Sequence, residues 1–175
     1  MIKISLLKFY LLTFILSISL YSVGNTENEF PLDPAITYGK LENGFTYYIR
    51  ENQTPKDKVS IKLIIKAGSI MEEENQLGLA HLLEHMAFNG SKNFPKRKID
   101  EYMSSIGLNI GSHYNASVGF LKTNYVYEIP TNNDDDVEVA LKILTDISKN
   151  LSLEPEAFER ERKIVEEEWR TDIGG

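Results

Sequence analysis

Extended strands are the first elements that the sequence predicts. Apolar side chains occupy alternate positions over residues 59–65, which is the pattern of a strand with one buried face. Before this segment, Asn43-Gly44 separates two runs rich in β-branched and aromatic residues, which is a strong hairpin signal. Residues 108–117 and 123–130 have a similar composition and predict two further strands.

Four segments have the apolar spacing of helices. They cover residues 76–88, 95–105, 134–149 and 156–170. Pro155 stands where the first turn of the last helix is expected, a position that proline favours. Strands that begin as a hairpin, followed by helices that cover one side, predict an α+β fold. We therefore expect a mostly antiparallel sheet with helices packed on one face.

The N-terminus has the pattern of a secretory signal peptide. Lys3 and Lys8 accompany an apolar stretch over residues 9–23, which is short for a membrane span. The protein is therefore expected to be secreted or periplasmic, with no stable membrane span after the signal is cleaved. An uncleaved, membrane-anchored N-terminus is the alternative. The predicted organisation is a signal peptide at 1–24, a polar lead-in at 25–35 and one domain at 36–175.

Charge and cysteine content exclude several kinds of partner and ligand. The net charge is −7 and becomes −9 without residues 1–24, because these hold two lysines and no acid. An acidic chain of this kind does not bind nucleic acid through its overall field, so no nucleic acid partner is expected. The chain contains no cysteine, which excludes disulfides and thiolate metal ligands.

The stretch GLAHLLEHMAFNG at residues 78–90 contains two of the three histidines. On a helix, His81, Glu84 and His85 share one face, because residues three and four apart are neighbours. Two imidazoles one turn apart can both bind Zn²⁺ at about 2.0–2.1 Å. The carboxylate between them is placed for a general base, because zinc lowers the pKa of water to roughly 7. The pattern predicts a catalytic zinc site, whereas His113, in a strand-like segment, is interpreted as a structural or surface residue.

A catalytic zinc site needs a third protein ligand, and without cysteine we expect a carboxylate. On the last predicted helix, Phe158, Val165 and Trp169 form an apolar stripe, with Glu161 and Glu168 along its border. A charged acid at such a border is partly buried, which is costly unless another group pairs with it, and a metal cation could do so. Seven residues return to nearly the same face, so helical phase does not choose between the two acids. The two further acids before Glu168 favour it, because a cation would relieve their repulsion.

These motifs resemble a known family, the inverted-motif zinc metallopeptidases of peptidase family M16, which include pitrilysin, insulinase and mitochondrial processing peptidase. The resemblance rests on HLLEH, on ERERKIVEEEWR and on surrounding pieces such as LENGFTYYI and NASVGFLKTNYVYEIP. It runs from about Thr37 to Arg170. It implies that Asn115 and Ala116 lie on a strand that receives the substrate backbone by edge pairing.

The resemblance also implies roles at the metal site. His81 and His85 would be zinc ligands, and Glu84 would be the catalytic base. Glu168 would be the third ligand, and Glu161 would be an acid that supports catalysis from outside the ligand set.

The function implied is that of a zinc-dependent endopeptidase hydrolysing peptides, with this chain as its N-terminal, metal-bearing part. Family members close repeated domains around the peptide, so we expect a domain incomplete at its C-terminus and completed by a missing C-terminal half or by a second homologous chain. The alternative is a non-catalytic partner subunit, or an inactive fragment that binds metal or peptide. S-ribosylhomocysteine lyases share the His-x-x-Glu-His pattern, but they complete their site with a cysteine, which this chain lacks.

Overall fold

The computed structural model describes residues 31–173, which form five strands and four α-helices. The predicted signal peptide at residues 1–24 and the first part of the lead-in lie outside this range. The chain divides into two compact units, one ending at Asn52 and the other beginning at Gln53. Among the described residues, no helix is long and apolar enough to cross a membrane.

The described part of the first unit contains the predicted hairpin. Strands β1 (Ile36–Lys40) and β2 (Thr46–Arg50) pair antiparallel. The Asn43 side chain accepts a hydrogen bond from the Phe45 N–H at 3.0 Å, which closes the turn in the way asparagine favours. The hairpin signal of the sequence is confirmed.

The second unit contains a three-stranded antiparallel sheet. Its strands are β3 (Lys58–Ile65), β4 (Tyr114–Val118) and β5 (Thr123–Pro130), in the spatial order β3-β5-β4. In this sheet β4 and β3 are therefore the edges. Tyr125, Tyr127 and Ile129 point to the buried face of β5, while the residues between them are partly exposed, which is the alternation of a sheet covered on one face.

The second unit also contains four helices. The third of these, Asp134–Lys149, begins with a well-formed cap. The Asn133 side chain accepts a hydrogen bond from the Asp135 N–H at 3.2 Å, and three acids occupy the first turn, where the helix dipole favours them. Short 3₁₀ turns at Ser69–Met71 and Glu74–Gln76 precede the first helix. The helices are α1 (Leu79–Met86), α2 (Lys98–Ser105), α3 (Asp134–Lys149) and α4 (Pro155–Ile173).

Buried apolar residues in the second unit form two clusters. The sheet core lies between the three-stranded sheet and helices α2 and α3. Its thirteen buried residues are Leu63, Ala87, Ile99, Met103, Leu108, Tyr114, Tyr125, Tyr127, Ile129, Ala140, Ile143, Leu144 and Ile147. The helix-pair cluster joins α1 to α4 and consists of Leu82, Met86 and Val165, flanked by Ala157 and Phe158. The predicted α+β class is confirmed.

Several boundaries differ from the sequence prediction, and two of the differences follow from a glycine with positive φ. The strand predicted from residue 108 begins at Tyr114, because Gly111 (φ +84°) and the hydrogen bond from the His113 N–H to the Asn109 carbonyl form a turn. His113 therefore lies in a turn and not in a strand. Helix α1 begins only after Gly78, whose φ is +92°.

Candidate metal centre

Helix α1 carries its two histidines and Glu84 on one face, beside the residues of the helix-pair cluster. The candidate ligand atoms of these three residues lie within 4.8 Å of one another. Leu82 and Met86, on the adjoining apolar face, are buried in the helix-pair cluster. The imidazole rings of His81 and His85 are 4.8 Å apart between centroids and nearly perpendicular. Burial of the apolar face thus fixes which way the polar triad points.

Helix α4 brings a carboxylate to both imidazoles. The Glu168 Oε2 atom lies 3.3 Å from His81 Nε2 and 3.4 Å from His85 Nε2. Donor atoms around a tetrahedral zinc, each bonded at 2.0–2.1 Å, are separated by about 3.3 Å. The spacing of the Glu168 oxygen from each imidazole nitrogen therefore matches that of zinc ligands. The Glu84 Oε2 atom is 4.0 Å from His81 Nε2, which is longer than this spacing.

Glu161 contacts the opposite side of the His85 ring. Its Oε2 atom is 3.3 Å from His85 Nδ1, and the Nε–H of Arg160 donates to its Oε1 atom at 3.3 Å. Glu161 is only 8% exposed. A carboxylate in this position orients an imidazole and selects the tautomer whose other nitrogen is free for a metal. Arg162, the other arginine beside Glu161, pairs with Glu159 and Glu166 instead.

A further set of hydrogen bonds closes around His85. The Asn89 side-chain amide donates to the His85 carbonyl at 3.2 Å, and the Arg160 guanidinium donates to the Asn89 side-chain oxygen. Together with the contact between Glu161 and His85, these bonds form a closed ring that links the end of α1 to α4. Sequence reasoning did not single out Asn89. Its signal was its position four residues after His85, about one helical turn further along the chain.

Burial and neighbouring charge act in opposite directions on Glu84. The residue is 9% exposed, and this burial raises the pKa of its carboxyl above the ordinary value. The imidazoles of His85 and His81 lower that pKa, and the charge of Glu168 raises it. Three carboxylates thus converge on two imidazoles, and such a group of acids favours a bound cation.

The remaining predicted residues lie on neighbouring elements. Asn115 is exposed and Ala116 half-buried on the edge strand β4, against which α1 packs. His113 accepts a hydrogen bond from the Asn109 N–H at 3.2 Å, so its side chain serves its own turn. Trp169 is 64% exposed, contrary to its assignment to the apolar stripe, because the eight-residue α1 is too short to cover the last turns of α4.

The family model of the insulinase peptidases, peptidase family M16, matches residues 47–172. The chain belongs to peptidase family M16. It is 40% identical over 143 residues to the probable zinc protease PqqL of Haemophilus influenzae, a match that covers 82% of this chain and 15% of that protein. This confirms the family resemblance seen in the sequence.

Solved structures of M16 proteins share the fold. The crystal structure of the periplasmic protease PqqL from Escherichia coli is 37% identical, with a TM-score of 0.77 over 80% of this chain and 16% of that one. The crystal structure of pitrilysin is 28% identical, with a TM-score of 0.64 over 78% of this chain and 14% of that one. The M16 chain described here therefore spans about one-sixth or less of the length of these relatives.

An open cavity adjoins the candidate metal centre of this M16 chain. Its volume is about 640 Å³, and it lies along the side of α4 that carries Glu168. A space of this size beside the His81 imidazole can admit part of a peptide. The lining residues are His81, Lys163, Ile164, Glu167, Glu168 and Thr171.

Proposed function

We propose that this chain is the metal-bearing part of a zinc-dependent endopeptidase that hydrolyses peptides. The observation that carries the proposal is the distance of 3.3–3.4 Å from Glu168 Oε2 to the Nε2 atoms of His81 and His85. The Haemophilus relative is a probable zinc protease, which supports both the metal and the reaction. Family membership and donor geometry thus support the same function independently.

His81, His85 and Glu168 are the proposed zinc ligands. When bound, zinc acts as a Lewis acid that polarises the scissile carbonyl and makes water more acidic. The chain supplies three donors and leaves room beside them, as a catalytic site requires. Glu161 holds the His85 ring through Nδ1, which would leave Nε2 free to bind the metal.

Glu84 is the proposed general base. Its carboxylate lies on the same face of α1 as the two histidines, but it stands farther from His81 than Glu168 does. This position suits a group that takes a proton from the attacking water and returns it to the leaving amine. Its burial keeps the carboxylate out of bulk water. Neighbouring charges therefore act on it more strongly than they would in water.

The edge strand β4 is the proposed docking site for the substrate backbone, with Asn115 and Ala116 at the contact. An edge strand leaves a row of N–H and C=O groups unpaired on one side, and an extended peptide can pair with them. The packing of α1 against β4 supports this role, because it puts a docked peptide beside the histidines. The substrate class is therefore an extended peptide segment and not a folded domain.

We further propose that the remaining walls of the peptide-binding site come from a further C-terminal part or a second homologous chain, as the greater length of the relatives suggests. The domain covers residues 36–175, after the polar lead-in. The predicted signal peptide at residues 1–24 supports a secreted or periplasmic location, and the Escherichia coli relative is a periplasmic protease.

The test is the Glu84→Gln variant in the full-length protein that contains this segment. Gln keeps the size of the side chain but cannot accept the proton, so turnover of a fluorogenic peptide mixture should fall at least ~10²-fold while zinc content stays at one ion per chain. Glu138→Gln, the same change on an exposed position of α3, is the matched control and should leave both unchanged.

Two results would contradict parts of the proposal. Turnover of Glu84→Gln within a few-fold of the wild type would remove Glu84 as the base. A wild-type protein that binds zinc and cleaves no peptide would instead identify a non-catalytic partner subunit.

A further inference from the structure

Helix α1 starts without a side-chain cap of its own. The N-cap position is Gly78, which has no side chain and a left-handed backbone. The first N–H groups of a helix have no partner within the helix and need one from elsewhere. Here the Glu72 carboxylate supplies it, because Oε2 accepts from the Gly78 N–H at 2.9 Å and Oε1 accepts from the Ala80 N–H at 2.7 Å.

The two hydrogen bonds act next to a proposed metal ligand. Ala80 immediately precedes His81, and both belong to the first turn of α1. The helix has eight residues, little more than two turns, and a helix so short is not stable by itself. Contacts with other parts of the chain must therefore hold the start of α1 in place. A half-buried carboxylate that binds two N–H groups, at the end where the helix dipole favours negative charge, is a strong contact.

Metal sites tolerate little displacement of their ligands, since ligand distances must lie within about ±0.2 Å of their preferred values. His85 has its own support from Glu161 and from the ring of hydrogen bonds through Asn89 and Arg160. His81 lies at the other end of α1, and Glu72 is the side chain that holds that end.

We propose that Glu72 is a positioning residue for the zinc site: by binding the Gly78 and Ala80 N–H groups, it sets the place of His81 relative to His85 and Glu168. This inference rests on the proposed zinc site. Glu72 touches neither the metal nor the substrate, so its effect is on metal affinity and coordination geometry.

The experiment compares the metal affinity of three variants of the full-length protein with the wild type. Glu72→Asp keeps the charge, but its side chain is one methylene too short to reach both N–H groups. Glu72→Gln keeps the length and loses the charge. Glu74→Gln removes a charge from an exposed position of the same acidic run and is the matched control. Each metal-free protein is titrated with Zn²⁺ and with Co²⁺, at a temperature where circular dichroism shows all four to be folded.

Both Glu72 variants should bind zinc about 10–100-fold more weakly than the wild type, the range for residues that orient metal ligands. Glu74→Gln should stay within about twofold, because an exposed charge is screened by salt. The visible absorption of bound Co²⁺, which reports coordination geometry, should change in the Glu72 variants alone. In the wild type, hydrogen exchange of the Ala80 amide should be slow.

Several outcomes would overturn the inference. If Glu72→Asp binds zinc like the wild type, or Glu74→Gln weakens binding as much as Glu72→Gln, Glu72 acts by charge and not by position. If Glu72→Gln fails to fold, the Asp variant and the Ala80 exchange rate still decide, and a fast-exchanging Ala80 amide contradicts the cap. A wild-type protein that binds no zinc would overturn the proposed function itself, which is a distinct result.

Discussion

The sheet core and the helix-pair cluster differ in what they hold in place. The sheet core contains thirteen buried residues drawn from the three-stranded sheet, from α2 and α3, and from adjoining segments. The helix-pair cluster contains three buried residues, Leu82, Met86 and Val165, from α1 and α4 alone. Yet every proposed metal ligand lies on the two helices of the smaller cluster.

The difference separates the stability of the fold from the geometry of the site. Burial of apolar surface contributes free energy in proportion to area, so most of the stability of the second unit lies in the sheet core. The distance between the histidines of α1 and the acids of α4 depends on the small cluster and on a few hydrogen bonds. The two properties should therefore respond to different substitutions.

The largest expected effects are on zinc affinity. They concern Glu161 and Glu168, two acids of α4 that have different proposed roles. Glu168→Gln should lower zinc affinity by more than ~10²-fold, because it removes a charged ligand. Glu161→Gln should lower it by about 10–100-fold, because it only loosens the His85 ring. Zinc titration of both variants, with Glu167→Gln as an exposed control on the same helix, measures this.

The opposite ranking would mean that Glu161 is the ligand and that Glu168 is the supporting acid. That result would also contradict the geometry, in which Glu168 contacts both imidazoles and Glu161 contacts only His85.

A direct test of the comparison exchanges one buried residue in each cluster for alanine. Ile143→Ala, in the sheet core, should lower the free energy of unfolding by about 2–5 kcal/mol through loss of apolar contact and a cavity. At a temperature where it is folded, its zinc affinity should stay within a few-fold of the wild type.

Met86→Ala, in the helix-pair cluster, should instead lower zinc affinity by about tenfold, because α1 loses its main anchor on α4. Urea unfolding and zinc titration of both proteins provide the measurements. If Ile143→Ala weakens zinc binding as much as Met86→Ala does, the sheet core and the helix-pair cluster do not act independently on the site.

The smallest expected effect concerns Asp146 of α3, whose hydrogen bonds join α3 to the segment that follows α1. Asp146, 1% exposed, accepts hydrogen bonds from Ser91, Asn93 and Asn150. Burial acts to raise its pKa, but these hydrogen bonds outweigh burial and lower the pKa to about 2. The unfolded value is about 3.9.

Because the folded pKa of Asp146 is the lower one, its carboxylate stabilises the fold above about pH 4, and this contribution disappears as the pH falls towards 2. Asp146→Asn should cost about 1–3 kcal/mol at neutral pH. The difference in unfolding free energy between variant and wild type should shrink below pH 4. If the difference in unfolding free energy stays constant with pH, the charge of Asp146 does not stabilise the fold.

Much of the candidate metal centre could be predicted from local periodicity. The shared face of His81, Glu84 and His85 follows from spacings of three and four residues on any helix, so the structure could hardly have arranged them otherwise. The choice between Glu161 and Glu168 could not be predicted in this way, because it depends on where α4 crosses α1. The exposure of Trp169 depends on the length of α1, which is a property of another element.

Glu72 shows a second limit of sequence reasoning. Three acids stand in a row at residues 72–74, just before α1, where the helix dipole favours negative charge. Only the fold of the two 3₁₀ turns decides which of them reaches back to Gly78 and Ala80. Likewise, the late start of β4 follows from the backbone of Gly111, a turn that composition alone did not reveal.

The position of the proposed ligands along the chain has a consequence for synthesis and folding. Glu168 follows His85 by 83 residues, and the intervening segment contains β4, β5, α2 and α3. During translation the binding site cannot exist until nearly all of this segment has emerged from the ribosome. A metal held across α1 and α4 would then close a long loop and act as a reversible cross-link. Closing a covalent loop of this length removes roughly 4.5 kcal/mol of chain entropy from the unfolded state, an upper bound for a metal clip.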